Sequence, residues 1–187
     1  MTRRGWGPEP RDTDTGRVRR VAILDTARVR FPRMAGVYAK LRVHVLWGTR
    51  GRRPWLDRDW RGRLFARIDV LAGAAGARLV SAGAARDHLH VYLELPVSLA
   101  LGPLVDGLKA GTARWIQRTF PHRAGFAWQQ GYAAFSVSPH EDARLLDDLR
   151  HQDVRHREHD FAREYLRLLE VNKVPYELGE ALDCGNS

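Results

Sequence analysis

Two histidines separated by one residue, His88 and His90, are the clearest candidates for chemistry in this sequence. They lie in a segment whose apolar residues and closing Pro96 predict a buried strand from His88 to Leu95. Because successive strand side chains point to opposite faces, both imidazoles lie on one face. Such a pair can hold one divalent metal ion if a third ligand arrives from elsewhere. The same pattern is also compatible with two histidines that only form hydrogen bonds on a half-buried sheet.

The elements around this strand predict one α+β domain. Apolar periodicity predicts strands at 41–47, 77–84 and 88–95 with a last strand within 128–138, and helices at 57–72, 98–119, 141–156 and 161–171. Two β-α-β units around a central hairpin are typical of a ferredoxin-like plait. We therefore expect an antiparallel sheet of four to five strands with helices packed on one face.

The chain divides into three segments of different composition. Residues 1–35 hold nine arginines and four acidic residues among glycines and prolines, and we expect a mobile basic arm there. Residues 36–176 are expected to form the folded domain, and residues 177–187 a C-terminal tail. A length of 187 residues with 44% hydrophobic content is sufficient for one domain with a core.

The charge of the chain favours a polyanionic partner. The formal net charge is +9, and 28 of the 31 basic residues are arginine. Arginine suits bidentate phosphate contact and stacking on bases, so we expect nucleic acid as the partner before a membrane. Cys184 is the single cysteine, which excludes a disulfide or a cysteine zinc site within one chain. The sequence has no apolar run of membrane length and no signal pattern, so a cytoplasmic location is expected.

Several blocks together resemble the small HUH-type tyrosine transposases, which are the single-strand DNA transposases of insertion sequences and their REP-associated relatives. The matching segments, in order, are Val43–Pro54, Asp87–His90, Leu108–Trp115, Trp128–Ser138 and Gln152–His156. The resemblance implies metal-dependent cleavage and rejoining of single-stranded or hairpin DNA through a phosphotyrosine intermediate. It also implies Mg²⁺ or Mn²⁺ as the cofactor, and either a monomer or a homodimer.

The resemblance assigns His88 and His90 as the metal ligands of the sheet and Gln152 as the ligand of a helix. The family's nucleophilic tyrosine lies four residues before this glutamine, where the present chain has Asp148. An aspartate cannot form a stable phosphodiester link, and its carboxylate repels the approaching phosphate. Tyr92, which shares the histidine face of its strand, is the least unsuitable substitute for the nucleophile.

The resemblance and the basic character of the chain also predict a DNA-binding surface. Tyr132 lies in the strand block that the family keeps alongside its nucleophile, so we expect it in the core or in contact with DNA. Gly111 and Thr112 in mid-helix either let a phosphate backbone approach closely or, through the glycine, form a helix–helix contact. The predicted contacts are Arg50, Arg52, Arg53, Lys109, Thr112, Arg114, Arg118 and Tyr132.

Three functions are compatible with aspartate at position 148. In the first, the protein binds single-stranded or hairpin DNA, and strand transfer is impaired. In the second, it is a non-catalytic DNA- or RNA-binding module, such as a regulator, and does not depend on a metal. In the third, it is a metal-dependent nuclease that uses water, with a ligand set formed by Asp148, Gln152, His156 and His159 on one helix face.

Overall fold

A computed structural model describes residues 36–152 and 161–178 of the chain. Within these ranges lie the strands β1 (Leu41–Gly48), β2 (Arg78–Ala84), β3 (His88–Leu95) and β4 (Ala133–Ser136). The α-helices there are α1 (Arg58–Ala74), α2 (Leu101–Thr119), α3 (Asp142–Arg150) and α4 (Phe161–Val171). The predicted basic arm, most of the predicted tail, and His156 and His159 lie outside the described residues.

The four strands form one antiparallel sheet in the order β2-β3-β1-β4. This order, with α1 and α2 as the two crossover helices, confirms the predicted α+β plait. The pairing of β1 with β3 places Gly48 opposite His88 and Leu46 opposite His90. The pairing of β2 with β3 places Gly83 opposite His90. The histidines therefore lie on an inner strand with a neighbour on each side.

The main core lies on one face of this sheet, under α1 and α2. Alternate residues of β1 and β3 point into it and meet the apolar stripes of the two helices, among them Val45, Trp47, Leu89, Val91, Leu93, Leu64, Ile68, Leu104, Leu108 and Ile116. A Cβ at Gly111 would lie 2.8 Å from Cδ1 of Leu71, so this glycine lets α2 approach α1. Of the two alternatives for Gly111, the helix–helix contact is confirmed.

The opposite face of the sheet carries the histidines and a smaller core under α4. This core consists of six buried residues from β1, β4 and α4: Leu46, Ala133, Phe135, Phe161, Tyr165 and Leu169. The apolar residues of α4 recur at intervals of three to four, and such a stripe must be buried against another element. The sequence analysis predicted this helix but expected the helices on one face, whereas the structure places α4 on the second face, and α3 packs against β2.

Several helix ends differ from the expectation, and the largest difference is that α3 ends at Arg150 rather than at residue 156. α2 begins at Leu101 rather than at residue 98, because a turn in which the Leu99 amide donates to the Pro96 carbonyl (3.2 Å) precedes it. Asp57 stands at the N-cap of α1 without a capping hydrogen bond. Its carboxylate instead accepts a hydrogen bond from Arg123 at 2.5 Å, which joins α1 to the segment after α2.

Candidate functional site

The two histidines of β3 lie side by side on the face covered by α4. Both side chains are buried, and the centroids of their rings are 5.1 Å apart. Their common orientation follows from the two-residue period of the strand. Since β3 is paired on both sides, the backbone that carries the histidines is held in place.

Each histidine is also held through its Nδ1 atom. Nδ1 of His88 lies 2.7 Å from Oδ1 of Asp87, whose Oδ2 accepts a hydrogen bond from Arg52 at 2.8 Å. Nδ1 of His90 lies 2.9 Å from Nε2 of His44. Imidazoles held in this way present Nε2 in one direction, which is common for histidines that bind metals.

The pKa values of the two supporting groups, His44 and Asp87, are both lowered. Burial and the neighbouring His90 lower the pKa of His44 to about 3, and Glu164 opposes this shift only in part. A neutral His44 can accept the Nδ1 proton of His90, which leaves the Nε2 lone pair of His90 available to a cation. Burial would raise the pKa of Asp87, but the hydrogen bond from His88 and the charge of Arg52 outweigh it, so the pKa is lowered.

A third group facing both imidazoles is Glu164 of α4, which the sequence analysis missed. Its Oε2 lies 3.5 Å from Nε2 of His88 and 3.6 Å from Nε2 of His90. The three residues each offer one ligand atom, and these atoms lie within 4.8 Å of one another. Ligand atoms around a tetrahedral metal ion are roughly 3.4 Å apart. The group therefore needs only small adjustments to coordinate one ion.

Gln152 lies beside the residue of β2 that pairs with His90. Its side chain is buried, and its Cγ lies 2.9 Å from the position that a Cβ would take at Gly83, the residue paired with His90. Among the described residues, no hydrogen-bond donor reaches its buried Oε1. A buried amide oxygen in this position is compatible with the predicted role of Gln152 as a metal ligand.

Asp148 lies on α3, four residues before Gln152, and is half-buried. α3 ends at Arg150, and His151 with φ −106° and ψ 17° separates it from Gln152, so the predicted single helix over 141–156 is interrupted between the two residues. Leu149, the neighbour of Asp148, and Gln152 both approach Gly83, the residue of β2 that pairs with His90. Two of the proposed ligands of the water-using nuclease, His156 and His159, fall outside the described residues.

Tyr92 shares the histidine face but is engaged elsewhere. Its hydroxyl donates to Asp142 at the start of α3, and the Arg42 guanidinium lies 5.7 Å from its ring centroid. Burial and the hydrogen bond with Asp142 raise the pKa of Tyr92. A tyrosine nucleophile must lose its proton during attack. These contacts argue against Tyr92 as the substitute for the missing nucleophile.

A charged cluster next to Tyr92 ties α3 to the sheet. Arg42 and Arg78 donate to Glu94 at 2.9 and 2.6 Å, and Arg42 also pairs with Asp142. Burial opposes the ionisation of Glu94, but the two arginine hydrogen bonds outweigh it and lower its pKa below the usual 4.5. Ionised Glu94 therefore stabilises the fold above about pH 4.5. This contribution is lost as the pH falls through the lowered pKa.

We expect the Glu94→Gln variant to lose about 2 kcal/mol of unfolding free energy at pH 7. The difference from the native protein should shrink as the pH falls below 4.5, because protonation removes the same charge from the native protein. Urea unfolding between pH 3 and 7 measures this dependence. The exposed Glu177→Gln variant serves as the control and should stay close to the native protein throughout. A difference that does not change with pH would contradict the role of the charge.

The predicted DNA contacts fall into two groups on different faces. Arg50, Arg52 and Arg53 lie in the turn after β1, beside His88. Arg50 and Arg53 are exposed, whereas Arg52 is half-buried between Asp87 and the ring of Phe161, whose centroid is 3.5 Å from its guanidinium. The exposed pair is therefore available to a phosphate backbone that approaches the histidine site.

The second group lies around α2, on the sheet face opposite the histidines. Arg114 and Arg118 are exposed. The Lys109 ammonium donates to the carbonyl of Gly131 at 2.6 Å, next to Tyr132, which is half-buried against the main core. A nucleic acid that contacts both groups must pass around an edge of the sheet.

The structure contradicts the prediction that Thr112 contacts DNA. Thr112 is fully buried, its hydroxyl donates to the Leu108 carbonyl at 2.6 Å, and it accepts a hydrogen bond from the Trp128 indole at 2.9 Å. These bonds satisfy the hydroxyl inside the protein. Thr112 instead fastens the loop at Trp128 to α2.

A second buried glutamine, Gln129, was also missed by the sequence analysis. It follows Trp128, is buried, and neither of its amide atoms has a hydrogen-bond partner among the described residues. Its Oε1 lies 2.5 Å from where a Cβ would stand at Gly48, and an Arg52 nitrogen lies 3.0 Å from the same point. A larger residue at the end of β1 would therefore have to displace the ends of these two side chains. The signal in the sequence was the compact block Trp128–Gly131.

A family model for IS200-like transposases matches residues 37–148. The matched span is more than half of the chain. The chain belongs to the IS200-like transposase family. In this transposase the match begins before β1 and ends at Asp148, so Gln152 and the whole of α4 lie beyond it.

Two solved structures are similar to this IS200-like transposase. A Deinococcus radiodurans protein assigned as a transposase is 25% identical, with a TM-score of 0.54 over 66% of this chain and 98% of that one. A REP-associated tyrosine transposase bound to a REP hairpin is 17% identical, with a TM-score of 0.49 over 67% of this chain and 74% of its own. No curated protein matches the chain. No helix among the described residues is long and apolar enough to cross a membrane.

Proposed function

We propose that this transposase-family protein binds single-stranded or hairpin DNA next to a metal site, and that its strand transfer is impaired. The observation that carries the proposal is the combination of a preorganised histidine pair with aspartate at position 148. The scaffold for binding a phosphate is retained, whereas the nucleophile is replaced. The proposal applies to a monomer and to a homodimer alike.

The donor set fits a divalent cation such as Mg²⁺ or Mn²⁺. His88 and His90 supply two Nε2 atoms, and Gln152 supplies a buried amide oxygen that no described donor reaches. A metal bound there would polarise the scissile phosphate. Asp87 and His44 keep the imidazoles oriented, and Arg52 places positive charge beside the site.

Asp148 is the reason for the proposed impairment. In the resembling enzymes a tyrosine at this position attacks the phosphate and stores the bond as a phosphotyrosine. A carboxylate in its place carries a negative charge towards the phosphate, and an acyl phosphate formed from it would hydrolyse readily. The native protein is therefore expected to bind DNA without accumulating a covalent adduct.

The exposed arginines beside the site supply the test of DNA binding. We expect Arg50→Gln/Arg53→Gln to bind a labelled hairpin with single-stranded flanks roughly tenfold more weakly. The slope of log Kd against log salt concentration should fall by about 1.4, since each phosphate contact to a single strand contributes about 0.7. Fluorescence anisotropy over a salt series measures both quantities.

The matched control is Arg167→Gln/Lys173→Gln, which removes two positive charges from exposed positions on and after α4. It should leave the affinity within about twofold of the native value, because neither residue belongs to the turn after β1. An equal loss in both double variants would indicate a general effect of net charge. Absence of native binding to hairpin and single-stranded DNA alike would contradict the proposed function.

A second candidate function is hydrolysis of DNA by water. The Glu164 carboxylate beside both histidines favours it, because an additional acidic ligand is common in hydrolytic metal sites. This candidate predicts metal-dependent cleavage without a covalent adduct, and loss of cleavage in His90→Ala. DNA binding that is indifferent to His90→Ala, with no cleavage, would instead indicate a non-catalytic binding module.

A further inference from the structure

The position of Glu164 is set by the packing of two aromatic residues of α4, one before it and one after it in the sequence. Phe161, one turn earlier, lies with its ring centroid 4.5 Å from that of His88 and 3.5 Å from the Arg52 guanidinium. One residue after Glu164, Tyr165 is buried and contacts Phe161 with the rings tilted by 37° and their centroids 5.2 Å apart. Residues three and four apart share a helix face. The packing of Phe161 and Tyr165 therefore directs Glu164 towards the histidines.

The chemistry of the three groups is that of a cation site. The Nδ1 atoms of both histidines are engaged by Asp87 and His44, so their Nε2 atoms face the glutamate. Two imidazoles and one carboxylate form a common ligand set for divalent transition metals. The carboxylate also supplies a negative charge that an amide ligand lacks, which strengthens the attraction of a divalent ion.

We propose that Glu164 is a protein ligand of the metal, together with His88, His90 and Gln152. The inference rests on the metal site of the proposed function and adds a ligand from α4, which lies outside the residues matched by the family model. Metal binding then fastens α4 to β3. Imidazole nitrogens favour transition metals over Mg²⁺, so Mn²⁺ binds more tightly than Mg²⁺.

The test is a titration of the full-length protein with Mn²⁺, in which electron paramagnetic resonance measures the free ion. We expect Glu164→Gln to weaken Mn²⁺ binding at least about tenfold, because the amide keeps the size of the side chain but loses its charge. The control is Glu170→Gln, an exposed glutamate of the same helix, and it should bind as the native protein does. His90→Ala tests the histidine site itself.

A second measurement separates ligation from a merely structural ion pair. Hydrogen exchange should show that Mn²⁺ protects the amides of residues 161–171 in the native protein and not in Glu164→Gln. If Glu164→Gln binds Mn²⁺ as tightly as the native protein while His90→Ala binds it more weakly, Glu164 is not a ligand. The inference is then overturned, but the metal site at the histidines stands. If His90→Ala also binds normally, or the native protein does not bind, both the inference and the proposed metal site fail.

Discussion

Replacing Gly83 by alanine is expected to lower the free energy of unfolding by about 2 kcal/mol and to displace Gln152 from the histidines. A Cβ at this position would lie 2.6 Å from the carbonyl oxygen of Leu149 and 2.9 Å from Cγ of Gln152. The nearer atom belongs to the backbone of α3, so no side-chain rotation relieves the clash and the helix must move away from β2. Overpacking of this kind costs about 1–3 kcal/mol.

The melting temperature of Gly83→Ala should fall by roughly 4–8 °C for a chain of this length. The control is Gly107→Ala, in which the added Cβ meets no atom within 4 Å on the exposed side of α2. It should gain up to about 1 kcal/mol, because alanine favours the helix over glycine. Thermal unfolding and Mn²⁺ titration measure both variants. A Gly83→Ala protein with native stability and native Mn²⁺ affinity would contradict the packing of α3 on β2.

The second large effect is expected from Asp148→Tyr. Position 148 lies on α3, and the native side chain is only half-buried, so a tyrosine can be accommodated. A phenol there supplies the nucleophile that the proposed mechanism lacks. Covalent adduct formation should rise by at least about 10³-fold over the native protein, as expected when a removed nucleophile is restored. Asp148→Phe is the matched control, because it adds the ring without the hydroxyl.

The fold could be predicted because its signals are local. The alternation in β1 and β3 and the apolar stripes of α1 and α2 report which side of each element is buried. The order of the elements then restricts the topology to few choices. The predicted placement of His88 and His90 on one face needed nothing beyond the two-residue period of a strand.

The partners of the histidines could not be predicted in the same way. His44 and Glu164 are distant in sequence from β3, and their contacts depend on the β1–β3 register and on the docking of α4. Glu164 stands in no recognisable motif, and the matching block Val43–Pro54 contains His44 without assigning it a role. The Thr112 prediction failed for a related reason: a polar residue on a helix was placed at the surface, whereas the Trp128 indole and the Leu108 carbonyl satisfy it in the interior.

The central claim is that the chain keeps the DNA and metal scaffold of an IS200-like transposase but lacks its nucleophile. The most direct measurement incubates end-labelled single-stranded hairpins from the DNA flanking the gene with Mn²⁺ and the native, Asp148→Tyr or Asp148→Phe protein. A denaturing gel then separates free DNA from protein-linked DNA. The account predicts a protein-linked band with Asp148→Tyr alone. A band of comparable intensity with the native protein would contradict it, because another residue would then be the nucleophile.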